Sequence, residues 1–135
     1  MDDASVMGAL VLDLPHTVPP LVRVRQWVAA ELSDLGDDRV VAVQLIATEL
    51  ITNVYDHGGG TGRIRLSRDA NRILVEVDDG SPSPPVLGDG DPRAVRGRGL
   101  VLVDKLALSW GYRPRADGGK TVWALVDCET LSWTS

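Results

Sequence analysis

A single cysteine, Cys128, stands among 135 residues. The chain can form no internal disulfide, and such sparing use of cysteine points to a reducing cytoplasm. No stretch approaches the roughly 20 apolar residues of a membrane-spanning helix. The opening MDDASVMGALVLDL has no basic segment ahead of an apolar one, so a cytoplasmic protein without membrane contact is expected. Basic clusters are lacking too: lysine occurs twice against twelve arginines and the net charge is −5. That balance argues against a direct binder of nucleic-acid phosphates. What is present is ordinary for a globular protein, with 44% hydrophobic residues. The length suits one compact domain over residues 1–135, able to bury roughly two-thirds of its unfolded surface.

Hydrophobic spacing orders the chain. ALVLDL (residues 9–14) alternates as a first strand, and PHTVPP breaks it. Val18, Leu21, Val22, Val24, Trp27, Val28 and Leu32 then follow at near-helical spacing, which predicts a helix from about Pro20 to Leu35. DLGDD stops it and caps a second helix from about Asp38 to His57, with Val43, Ile46, Ala47, Leu50 and Val54 as its apolar stripe. RIRLS (63–67) and RILVEVD (72–78) read as a hairpin. A glycine- and proline-rich stretch over residues 80–99 follows, long enough to suggest a functional loop. A third helix is expected over about Leu100 to Leu108. Two last strands, SWGYRP and KTVWALVD, flank an ADGG turn. Three amphipathic helices and five strands predict a two-layer α/β sandwich: a mixed, mostly antiparallel sheet with the helices on one face.

Polar groups interrupt this pattern at four places. Glu49, Asn53 and His57 follow at i, i+4 and i+8, drifting only about 80° along the flank of the apolar stripe. They either cap loops and bond to neighbouring strands, or line a site with a carboxylate that accepts a proton and an amide oxygen that ligates a hard cation. Ile73, Val75 and Val77 share one strand face, and Asp79 continues it while Asp78 points away. Asp79 is then a turn-former before Gly80 or an acceptor for an exocyclic amine. Gly97 and Gly99 precede a helix start, flanked by Arg96 and Arg98; they end a loop or let an anion approach the helix N-terminus. Thr121 is early in a strand, where threonine is also simply a good strand former.

Together, E-L-I-T-N-x-x-x-H, V-x-V-x-D-x-S-P, R-G-R-G-L and G-G-K-T-V-W-A, in that order, resemble the ATP-binding fold shared by gyrase, histidine kinases and mismatch-repair ATPases. Within it, the chain most resembles the stand-alone anti-sigma factor and serine-protein kinase branch. The resemblance implies that Asn53 ligates Mg²⁺ bridging the ATP phosphates and that Glu49 is the general base on the attacking hydroxyl. It implies that Asp79 reads the adenine amine, with Thr121 in support and Ser81 beside it. Gly97, Arg98, Gly99 and Leu100 would form the phosphate-binding start of the third helix, His57 would close the first motif, and residues 81–96 would form a lid. The implied partners are a sigma factor, an anti-sigma antagonist protein, or both, with homodimers common in the branch. The alternative is a nucleotide-dependent protein-binding switch without phosphotransfer. The sequence departs from the common D-x-G-x-G motif by carrying Ser81 and Ser83, with Pro82, Pro84 and Pro85 around them, which stiffens the entry to that loop.

Overall fold

Strict alternation along the strands separates an apolar face from a charged one, and the helices cover the apolar face. The structure, a computed structural model, describes residues 10–15, 20–57, 61–69, 71–81 and 98–127. In chain order the elements are β1 (Leu10–Asp13), α1 (Leu21–Glu31), α2 (Asp37–His57), β2 (Thr61–Asp69), β3 (Arg72–Asp79), α3 (Arg98–Leu106), β4 (Ser109–Pro114) and β5 (Lys120–Asp127). The five strands form one sheet in the order β1-β2-β3-β5-β4, and each described pairing is antiparallel. None of the described helices is long and apolar enough to cross a membrane.

The register sets which side chains meet. Leu10, Leu66, Val75, Ala124 and Trp110 form one row across the sheet; Leu12, Ile64, Val77, Val122 and Tyr112 form the next. The central members of both rows are buried beneath Val43, Ile46, Ala47, Leu50, Ile51 and Val54 of α2. Each fully buried Val, Leu or Ile contributes roughly 1.5–3 kcal/mol relative to exposure. α2 packs against α1, α3, β3 and β5. Being enclosed on several sides, it needs a wider apolar surface than the single stripe its spacing suggests. Its start is favoured by Asp37 and Asp38 at the positive end of the helix dipole. The Thr48 and Thr52 hydroxyls donate back to helix carbonyls of Gln44, Leu45 and Thr48, which lets them sit in the packed interior.

Element ends differ from the expected ones for local reasons. α1 stops at Glu31 rather than Leu35, because Leu35 N–H turns back onto the Leu32 carbonyl at 2.9 Å. Asp34 in that turn receives both guanidinium nitrogens of Arg68 on β2, at 2.9 and 3.0 Å. α3 runs Arg98–Leu106 instead of residues 100–108, since Leu108 N–H already donates to Leu125 O of β5 at 2.7 Å. β2 extends to Thr61 through an irregularity between Thr61 and Ile64 that keeps Thr61 opposite Asp79.

The other sheet face carries a charged lattice. Arg65 grips Asp78 with two hydrogen bonds of 2.8 and 2.9 Å and lies 3.5 Å from Glu76. Arg113 pairs with Glu76, and Arg115 stands 3.4 Å from Asp78. Burial pushes the Asp78 carboxyl up, but the hydrogen bonds from Arg65 and Thr121 and the charges of Arg65 and Arg115 more than reverse this and hold it below its ordinary value. The Trp123 indole on this face lies so close to Gly111 that a Cβ there would stand 3.1 Å from it.

Candidate functional site

Four polar side chains are set into the apolar layer: Glu49 and Asn53 on α2, Asp79 at the end of β3 and Lys120 at the start of β5. Glu49 and Asn53 lie one helical turn apart, about 6 Å along the axis. Asn53 is buried and Glu49 half-buried. Burial raises the Glu49 carboxyl above its ordinary value, and no cation pairs with it among the described residues.

Asp79 falls on the helix-covered face with Ile73, Val75 and Val77, as the alternation requires, and is only 1% exposed. Its Oδ1 accepts the Ser81 N–H at 2.9 Å, a two-residue turn that closes the strand. Its Oδ2 accepts Lys120 Nζ at 2.7 Å, and the same ammonium donates to the Ser81 carbonyl at 3.1 Å. Ser81 therefore meets both groups through its backbone. Lys120 is 3% exposed and sits directly opposite Asp79 in the β3–β5 register.

Thr121 is the correction. It lies on the opposite face and donates to Asp78 Oδ1 at 2.9 Å, so it cannot stand beside Asp79. The reason is parity: Lys120, Val122, Ala124 and Val126 face the helices, and Thr121 does not. Lys120 was missed, although the alternation that places Asp79 also places it. Gly119 was missed as well. A Cβ at that position would run into the Asp79 carbonyl oxygen and come within 3.1 Å of Gly80 Cα, so only glycine lets β5 begin this close to the end of β3.

The remaining expected residues are distributed as follows. His57 ends α2, and its side chain is outside the described residues, as are Gly97 and the expected loop beyond Ser81. Arg98 and Gly99 open α3 with their backbone. Leu100 is fully buried in the core, so its side chain anchors the helix and only its backbone could face an anion.

A carboxylate and an ammonium held out of water in an apolar wall form an acceptor beside a donor, which suits the polar edge of a heterocyclic base. The profile of the histidine kinase-like ATPase domain matches residues 13–125. The chain belongs to this family. Membership implies ATP binding in a regulatory setting, and the antiparallel sheet with helices on one face is the family's α/β fold. The matched span takes in α2, the end of β3 and the start of β5, and so all four polar residues of this histidine kinase-like ATPase domain. No curated protein matches the chain significantly.

Proposed function

We propose that this histidine kinase-like ATPase domain is an anti-sigma factor with serine-protein kinase activity towards an anti-sigma antagonist. In this reading it is one domain over residues 1–135, acting in the cytoplasm and able to form a homodimer. The observation that carries the kinase reading is Glu49. It is a half-buried carboxylate whose proton affinity burial has raised, one turn ahead of the buried amide of Asn53. A general base works best when its pKa approaches the operating pH, and desolvation moves Glu49 in that direction.

The roles follow from these groups. Asp79 would hold the base, and the backbone at the start of α3 would face the phosphates. Among the described residues, no group of three or more His, Cys, Asp or Glu could hold a metal ion. Mg²⁺ does not need such a group: it is commonly carried by phosphates and waters with one or two protein ligands, here the Asn53 amide oxygen. Glu49 would take the proton from the partner's serine hydroxyl as its oxygen bonds to the γ-phosphorus. The bond from that phosphorus to the bridging oxygen breaks, and ADP leaves with that oxygen. Positioning and charge neutralisation supply most of the acceleration in such a transfer. On the partner side, Arg23 and Arg25 are exposed on α1 and could anchor an interface.

Calorimetry with ATP, with and without Mg²⁺, tests the first step. Wild type binds, and Asn53→Ala loses the Mg²⁺-dependent part. Labelled ATP with candidate antagonists tests the second. Glu49→Gln abolishes transfer while leaving affinity in place. Binding without transfer in wild type would leave a nucleotide-dependent protein-binding switch.

A further inference from the structure

Lys120 is not required by the family reading just given, and its place is unusual. Lysine is almost never fully buried unless it is paired. Here it is 3% exposed, on the helix-covered face, with Asp79 at 2.7 Å and the Ser81 carbonyl at 3.1 Å. The next pair on its face is apolar, Val77 opposite Val122, and so is the pair beyond it, Val75 opposite Ala124. An exocyclic amine that reaches Asp79 must enter the space beside this ammonium. The two partners differ in freedom. Asp79 is fixed at a strand end, with Oδ1 tied to the Ser81 N–H. The ammonium rides on a four-carbon stem with rotatable donors. A base therefore displaces the ammonium and leaves the carboxylate where it is. A displaced ammonium in an apolar wall is costly unless it finds another acceptor.

We propose that Lys120 is a second base-reading group that determines specificity. It would donate to a ring acceptor adjacent to the amine that Asp79 accepts, so that the site reads two neighbouring points of the base edge. Adenine offers this combination, with the N6 amine as donor and N1 as acceptor. A base carrying the amine without the adjacent acceptor would strand the ammonium and bind poorly. The assignment rests on the ATP-binding reading and adds to it a demand for the ring nitrogen.

The probe is 1-deaza-ATP, in which N1 is replaced by C–H and the amine is kept. Titrated into wild-type protein with Mg²⁺, it binds about tenfold or more weaker than ATP, the value of one hydrogen bond to a charged group. In Lys120→Thr the two nucleotides converge to within about twofold. Equal affinities in wild type, or a tenfold gap that survives in Lys120→Thr, would overturn the assignment and leave ATP binding intact. If wild type binds neither nucleotide, both readings fall together.

Should Lys120→Thr fail to fold, lysine side-chain NMR on wild type decides. The chain has only two lysines, Lys105 and Lys120. Lys105 is exposed on α3 and serves as the internal reference. Saturating ATP moves the Lys120 signal and leaves Lys105 in place, and 1-deaza-ATP fails to reproduce the ATP position. A Lys120 signal unmoved by saturating ATP would refute the contact.

Discussion

Lys120→Met removes one charge of a buried pair and keeps the volume of the chain nearly constant. Asp79 then keeps the Ser81 N–H as a hydrogen-bond donor but loses the cation at 2.7 Å, while remaining 1% exposed in the wild-type setting. Deleting one partner of a buried ion pair costs about 3–5 kcal/mol, because the other charge is left uncompensated. Against a total stability of roughly 5–15 kcal/mol, that is a large share. With a urea slope of about 1–3 kcal/mol per molar, the unfolding midpoint falls by about 2 M. The double variant Asp79→Asn with Lys120→Met removes both charges and recovers most of the loss, since a pair replaced by neutral groups is often tolerated. Urea unfolding of wild type, both single variants and the double variant closes the cycle. A loss under about 1 kcal/mol in Lys120→Met, or additive single effects, would refute the buried pair as a coupled unit. Asp79→Ala likewise strands Lys120, so lost ATP affinity in that variant must be read beside its unfolding curve.

Gly119→Ala drives a Cβ into the Asp79 carbonyl and costs about 1–3 kcal/mol by thermal unfolding, whereas Gly62→Ala, whose Cβ meets nothing within 4 Å, stays within about 1 kcal/mol. Thr121→Val removes the donor to Asp78 on the charged face, lowering stability by about 0.5–1.5 kcal/mol and leaving ATP affinity unchanged; a fall in affinity would return Thr121 to the site. Glu49 has its folded pKa raised above 4.5, so the folded state holds this proton more tightly than the unfolded one. Its contribution therefore falls as pH rises from 4.5 through the raised value and is a constant penalty above it; Glu49→Gln removes that slope and is more stable than wild type at neutral pH, as urea midpoints across pH will show.

The two-layer fold was readable because period two and period 3.6 are strong signals in RILVEVD, KTVWALVD and the α2 stripe. Asp79 was legible from the same alternation. Lys120 was equally so in parity, yet a lysine aligned with Val122, Ala124 and Val126 runs against expectation unless its partner is known. That partner is 41 residues earlier, and no local pattern announces the register that joins them. The end of α1 was hidden for a similar reason. Leu32 and Leu35 extend the apolar rhythm, but Arg68 on a strand yet to come holds Asp34 in a turn. Polar positions such as Arg65 and Glu76 marked an outer face; their pairing into a lattice depends on distances that only the assembled sheet sets. Gly97 and the expected loop fall outside the described residues.

The strand order also dictates a schedule. β3 is the centre of the sheet, yet its second neighbour, β5, is the last described strand to be synthesised. Until β5 docks, β3 presents a bare edge of unpaired N–H and C=O groups next to an apolar face, an invitation to pair with another chain. Asp79 meanwhile waits without its cation. Docking of a single strand closes this edge and seats Lys120 against Asp79 in one event, so a nascent chain completes its buried ion pair only when the centre of its sheet is no longer exposed.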